Sequence, residues 1–355
     1  MTIPSTQHPL IEKVRNLLPL IEQTSSEAER LGHLPDRVLN ALFELRLFRL
    51  FIPAEYNGEP TDLPTALRIF ELIASADGAT GWLVMIGAGG GLFSGFIEER
   101  AARGIFAPER AVIAGSGSPS GLAITKKNGF EVSGRWAYAS GAHHATWFTA
   151  NCKIDGNDEQ IISIAMPAEQ VEIHDTWHVF GMQATGSHDF TAEPVFVPEN
   201  CTFSLADKPL LKDPIFHCPL ETLASLTFAS VAVGIAQHAF DEFQRFIESK
   251  PLVGDIDIQQ RIKQANELIS QGRQQLYQLA EAVWNEAENA KAPRETLRRQ
   301  VDEDCREIVQ NGVTAADLLK ARAGMLAAFT DSAFGRAWRD LHTLSQHIIV
   351  SPAST

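Results

Sequence analysis

From residue 10 to 106, apolar positions recur every three to four residues with charged ones between them, the period of an amphipathic helix. Leu17, Leu18, Ile21, Ala28 and Leu31 form the first stripe. Leu34-Pro35-Asp36 opens a second helix, with Val38, Leu39, Ala41, Leu42 and Leu45 on its apolar side. Phe51-Ile52-Pro53 and Asn57-Gly58 mark a loop, the spacing over 63–76 predicts a third helix, and Asp77 or Thr80 is placed to cap a glycine-rich fourth. From 111 to 203 the texture changes. Short apolar runs at 111–114, 129–133, 146–152, 160–165 and 194–197 are separated by Gly, Pro, Asn and Asp, which predicts an antiparallel β region. Beyond Asp207 the helical period returns over 220–247, 258–288, 294–328 and 332–349, punctuated by Pro251 and Pro293. The chain thus divides into an N-terminal helical domain (1–108), a middle β domain (109–205) and a C-terminal helical bundle (206–355), with no internal repeat.

Composition narrows the class. The 355 residues suffice for two or three domains, and a net charge of −14 argues against a nucleic-acid surface, which needs clustered Lys and Arg. Cys152, Cys201, Cys218 and Cys305 show no CxxC spacing, so neither a metal site nor a disulfide framework is expected. The stretch 1–7 lacks the basic and apolar regions of a signal peptide, and the apolar run 82–96 is broken by five glycines. A cytoplasmic protein without a membrane span is expected.

The most informative segment is Gly134-Arg135-Trp136-Ala137-Tyr138-Ala139-Ser140, followed by Gly141 and leading into 147–151. It predicts one strand turning tightly into another, with alternation placing Trp136, Tyr138 and Ser140 on one face. An apolar wall ending in a hydroxyl suits a flat heteroaromatic ring whose edge needs a hydrogen bond. The plain alternative is β core ending in a Ser-Gly turn.

Fragments in order along nearly the whole chain resemble the acyl-CoA dehydrogenase superfamily. Gly134 to Ser140 looks like its flavin-contacting strand. Residues 176–182 with Thr185-Gly186-Ser187-His188-Asp189 are similar to its Gly-Leu-Arg-x-Thr-x-Ser-x-Asp segment, and Val195-Phe196-Val197-Pro198 to the strand end after it. Gly234-Ile235-Ala236 resembles the run opening the C-terminal bundle, and Arg339-Asp340 the Arg-Asp pair of the last long helix. The resemblance implies an α+β fold: helical domain, middle antiparallel β domain and C-terminal four-helix bundle, commonly assembled as a homotetramer.

Within the superfamily, Arg135-Trp136, Tyr138, Ser140-Gly141, His144 and Trp147 resemble the reduced-flavin-dependent monooxygenases. Many dehydrogenases keep a Glu base eight residues beyond the Asp of the Arg-Asp pair. That position here is Ile348, and the adjacent His347 falls where the monooxygenase branch often carries a histidine. The implied activity is oxygenation: reduced FMN or FAD, delivered by a separate flavin reductase, reacts with dioxygen to a hydroperoxide that hydroxylates a small aromatic or polycyclic substrate. The alternatives are acyl-CoA dehydrogenation with bound FAD, and a degenerate binding or assembly member.

The resemblance distributes roles as follows. His347 is the candidate acid/base, against a helix-terminal or core histidine, and Ser140 the donor at the ring edge, against a turn serine. Ala114, Gly115 and Ser116 approach the flavin pyrimidine edge, Trp136 and Tyr138 wall the ring, and Thr185, Gly186 and Ser187 offer main-chain N–H groups. His144 is a substrate contact. A departure lies at Gly90: the branch often has a second histidine on that helix, yet none occurs between His33 and His143, and the glycines there would open space for substrate. Arg273 and Gln260 either reach a neighbouring subunit's flavin or line a solvated face.

Overall fold

The computed structural model describes residues 8–250 and 254–352; the stretch 1–7 and Pro251 lie outside the described residues. Helix α1 (Pro9–Leu31) begins with proline in its first turn, where the missing N–H costs nothing, and stops at Gly32 with φ +71°. Helix α2 is Asp36–Glu44. Helices α3 (Leu63–Ala74) and α4 (Gly78–Gly89) are capped by carboxylates, Asp62 accepting from the Thr65 N–H at 2.9 Å and Asp77 from the Thr80 N–H at 2.8 Å. Asp77 is therefore the cap of the fourth helix, and Thr80 its partner. Helix α4 is apolar all round and almost wholly buried; it passes through a 3₁₀ turn (Gly90–Gly95) towards α5 (Glu99–Phe106).

Strands β1 (Ile113–Lys126), β2 (Gly129–Ala139), β3 (Trp147–Ile154), β4 (Asn157–Pro167), β5 (Glu172–His174), β6 (His188–Pro198) and β7 (Thr202–Phe203) form a single sheet in the order β5-β6-β2-β1-β3-β4-β7. All pairs are antiparallel except β1 with β3, which run parallel. Because β1 lies between β2 and β3, the expected tight turn at Ser140-Gly141 is instead a crossing from one side of β1 to the other. The shared face expected of Trp136, Tyr138 and Ser140 is also absent. Pairing of β2 with β6 slips between Trp136 and Ala139, and Tyr138 takes φ +69°, which breaks the alternation. Trp136 turns inward, fully buried, stacked on Phe190 at 5.1 Å and donating to the Asn151 carbonyl at 2.9 Å. Tyr138 is 72% exposed.

The C-terminal helices are α6 (Leu220–Glu248), α7 (Ile256–Glu288), α8 (Glu295–Ala323) and α9 (Ala333–Leu344). Helix α6 is long and apolar enough to cross a bilayer, against expectation, but its most apolar window is 94% buried among α3, α4, α7, α8 and α9. It is a core helix. The close approach to α3 requires Gly234, where a Cβ would lie 2.3 Å from the Glu71 carbonyl oxygen. Helices of the N- and C-terminal parts share one apolar core, and the sheet has its own. Arg273 donates to Glu71 at 2.7 Å and to Gln237 at 2.8 Å, so it is tied into the α3–α6–α7 seam rather than held out for a flavin. Helix α9 ends five residues before the expected 349. His347 follows in a turn, its carbonyl accepting from the N–H groups of Val350 and Ser351 at 2.9 and 2.8 Å.

Candidate active site

A cavity of about 210 Å³ opens where α4, β1 and α6 converge. Gly90, Ala114, Gly115 and Ser116 all line it. Gly115 is required there, since a Cβ would fall 2.3 Å from the Thr149 carbonyl oxygen. On the sheet side Asn151 is held rigidly, donating to the Gly117 carbonyl at 2.9 Å and accepting from the Ser163 hydroxyl at 2.7 Å. The space attributed to Gly90 belongs to its neighbour: a Cβ on Gly90 would strike Ile113 at 2.7 Å, whereas one on Gly89 meets nothing within 4 Å.

A buried chain of hydroxyls starts from Trp82, whose ring packs on Phe228 of the cavity wall at 4.6 Å between centroids. The Trp82 indole N–H donates to Ser140 Oγ at 2.9 Å, Ser140 Oγ meets Ser187 Oγ at 2.7 Å, Ser187 Oγ meets Thr185 Oγ1 at 2.7 Å, and Thr185 donates to the Met182 carbonyl at 2.8 Å. An indole N–H only donates and a carbonyl only accepts, so all three hydroxyl protons point the same way, from Ser140 to Met182. The Ser140 backbone N–H is also taken, by the Tyr138 carbonyl at 3.0 Å. The hydroxyl and the backbone N–H of Ser140 are thus both engaged within the protein, and its Oγ retains a lone pair. Ser140, Thr185 and Ser187 are brought together through their side chains. Gly186 takes φ +49° beneath His143, where a Cβ would lie 2.9 Å from the ring.

The loop ends on a second buried group. The Met182 N–H donates to Asp340 at 2.5 Å and its carbonyl accepts from the Trp177 indole at 2.9 Å. Burial, with the Asp77 charge nearby, pushes the Asp340 carboxyl up to about 7. The Arg-Asp pair thereby clamps α9 to the 182–187 loop, helped by Gly181, whose Cβ position lies 2.2 Å from the Arg339 carbonyl oxygen.

His347 packs against Phe228 at 4.7 Å and Trp82 at 5.9 Å between ring centroids, so it stands behind the cavity wall that Phe228 forms. Burial lowers its imidazole to about 4. Its Nδ1 accepts from the Ile349 N–H at 3.3 Å, which places the proton of the neutral ring on Nε2. His144 is not a lining residue. It sits against Phe48 at 5.5 Å and over Gly141, and burial lowers it to about 4 as well. Trp136, sealed in the sheet core, has no free face for a flavin.

The C-terminal domain of acyl-CoA dehydrogenases matches residues 226–352. Indole-3-acetate monooxygenase of Acinetobacter baumannii is 25% identical over 93% of this chain and 87% of its own length. The flavin-dependent monooxygenase oxygenase subunit HsaA of Rhodococcus jostii is 26% identical over 96% of this chain and 94% of its own. The crystal structure of 3-HSA hydroxylase from Rhodococcus sp. RHA1 superposes with a TM-score of 0.93 at 26% identity, covering 98% of this chain and 94% of that one. The C-terminal part of this chain thus matches the acyl-CoA dehydrogenase family, and the chain as a whole is similar to flavin-dependent monooxygenases. For a flavin-dependent monooxygenase the cavity has a consistent chemistry: no Asp or Glu lines it, and Ile348, where many dehydrogenases keep their base, is 83% exposed.

Four residues important to this geometry were not singled out from sequence: Phe228, Trp177, Asn151 and, beyond its place in a Gly-Trp pair, Trp82. Asn151 carries the one usable signal, an amide inside a strand where amides are disfavoured. Phe228 reads as one more apolar position on an apolar helix.

Proposed function

We propose that this chain is the oxygenase component of a two-component system. It takes reduced FMN or FAD from a separate flavin reductase and hydroxylates a small aromatic or polycyclic substrate. The reading includes a cytoplasmic location, supported by four free cysteines, a division into domains 1–108, 109–205 and 206–355, and a homotetramer formed through the last of these, the C-terminal bundle. The observation that carries it is the apolar cavity without a carboxylate, closed on one side by Phe228 with a neutral His347 behind it. Removal of an α-proton needs a base over the flavin, whereas oxygenation needs exclusion of water and one proton-handling group.

The residues present fit a flat heteroaromatic group. Tyr138 is a non-glycine residue in the left-handed region with its ring exposed and only edge-on to Trp177 at 6.2 Å, a strained posture of the kind kept at ligand sites. Ala114, Gly115 and Ser116 bring backbone to the cavity without side-chain bulk, and Thr185 and Ser187, with Gly186 between them, gather at Ser140. A bound reduced flavin supplies the electrons for activating dioxygen. Ser140, its proton committed to Ser187, offers a lone pair to an N–H at the ring edge. Phe228, Met85 and Ile86 exclude water, and His347 holds the proton on Nε2.

The test is anaerobic mixing of the reduced flavin–protein complex with oxygenated buffer in a stopped-flow spectrometer. An oxygen-dependent transient absorbance phase before reoxidation is expected. Single-step reoxidation at the rate of free flavin overturns the reading.

A further inference from the structure

None of the 21 residues lining the cavity is ionisable at neutral pH: there is no Asp, Glu, Lys, Arg or His among them. Its polar groups, moreover, are confined to one side. Ser116, Thr149, Asn151 and Ser163 belong to the sheet, and the last two already satisfy each other. The opposite side, from Met85 and Ile86 on α4 to Leu223 and Phe228 on α6, is hydrocarbon. Its one hydroxyl, on Thr227, is spent on the Ala224 carbonyl at 3.2 Å. The imidazole of His347 packs on Phe228 without lining the cavity, and burial keeps it neutral at pH 7.

From this distribution we infer that the substrate is an uncharged, predominantly apolar ring compound, and that the site rejects organic anions such as aromatic carboxylates. The inference rests on the oxygenase reading for the cavity's being the substrate site. A carboxylate entering here would exchange its water for at most the hydroxyls of Ser116 and Thr149 and would meet no cation, a loss that dominates any gain from burying its ring. The chain's net charge of −14 adds a long-range field of the same sign against it. A neutral ring loses only weakly held water and gains dispersion contact with Phe93, Phe203 and Phe228.

Equilibrium dialysis of the whole protein measures this directly, using two pairs of probes: indole against indole-3-acetate, and naphthalene against 1-naphthoate. Each pair is run without flavin and, anaerobically, with reduced FMN. The neutral member of each pair is expected to bind on the order of 100-fold more tightly than the anion. Ala224→Lys and Leu220→Lys, at two cavity positions on α6 that are not fully buried, each introduce a cation and are expected to shrink that ratio at least tenfold. Equal binding, preference for the anions, or no binding of any probe overturns the inference. So do lysine variants that retain their fold by circular dichroism and leave the ratio unchanged. Failure of the oxygenase reading shows separately, as loss of the stopped-flow transient with the dialysis preference intact.

Discussion

Trp82 and Ser140, 58 residues apart, meet through a 2.9 Å hydrogen bond in which the indole N–H donates to the hydroxyl. This contact fixes α4 to the end of β2 and heads a hydroxyl chain whose direction is set at its far end by the Met182 carbonyl. Without Ser140 two buried groups lose a partner, the Trp82 N–H and the Ser187 oxygen. A buried donor left unsatisfied costs about 1–3 kcal/mol. Ser140→Ala should therefore lower stability by about that amount in a urea titration with unchanged slope. Trp82→Phe removes the orphaned donor. If the pairing matters as described, the double variant is less unstable than the sum of the two single variants; strict additivity would show that the bond contributes little.

The two neighbouring glycines at the end of α4 make opposite predictions. A Cβ on Gly90 falls 2.7 Å from Ile113 Cβ, and neither the strand nor the helix can yield without repacking. Gly90→Ala should destabilise by about 1–3 kcal/mol through overpacking. Gly89 has a helical backbone with φ −56° and open space around its missing side chain, so Gly89→Ala should be neutral or stabilise by up to about 1 kcal/mol. Gly89→Leu would fill the cavity, and should raise KM for a ring substrate while leaving the thermal midpoint near that of the parent. A fall in midpoint for Gly89→Ala as large as for Gly90→Ala would contradict this geometry.

Acid sensitivity follows from His144 and His347. Burial depresses each folded-state imidazole to about 4, against 6.5 for an unperturbed one. The unfolded chain therefore binds protons first as pH falls. The stability each histidine contributes is fully present above pH 6.5 and is lost progressively between about 6.5 and 4. Asp340 works in the opposite direction, since a carboxyl raised to about 7 favours the folded state as pH falls through that value. The informative measurement is a difference: across pH 6.5 to 4, denaturation midpoints of His144→Asn and His347→Gln should fall less steeply than that of the parent. Parallel profiles would mean that neither ring is kept neutral by burial.

Much of this arrangement can be read from the chain before any coordinates. Helical period and capping residues locate α2 at Asp36, α6 at Leu220 and the end of α7 at Glu288, because these boundaries depend on local backbone chemistry. What escapes is non-local. Parallel pairing of β1 with β3 depends on a crossover that no strand's own residues encode. Left-handed Tyr138 is invisible because bulky residues rarely take that conformation, so its neighbours are misassigned to one face. The end of α9 is lost because the apolar residues Ile348 and Ile349 continue the helical period past Ser345, although the chain has turned. The contacts of Ser140 are equally non-local: Ser187 comes from just before the neighbouring strand β6 and Trp82 from a helix 58 residues away, and no pattern around Ser140 announces either.

His347 supplies the sharpest test of the chemistry. Among the described residues it is the only histidine packed on Phe228, and its neutral ring keeps a proton on Nε2 because Nδ1 accepts from Ile349. If this ring handles the proton of hydroxylation, His347→Ala should lower the product-forming rate by about 10²- to 10⁴-fold, the usual contribution of a positioned acid or base. Reduced-flavin affinity, measured anaerobically by fluorescence, should change little, because His347 is not among the residues lining the cavity. Flavin oxidation would then continue without product, so the ratio of hydroxylated product to flavin oxidised falls with the rate. An equal loss of flavin affinity and rate would instead assign His347 to the packing of Trp82 and Phe228. Restoration of activity in His347→Gln, whose amide can donate but cannot titrate near neutrality, would show that hydrogen-bond donation suffices without proton transfer.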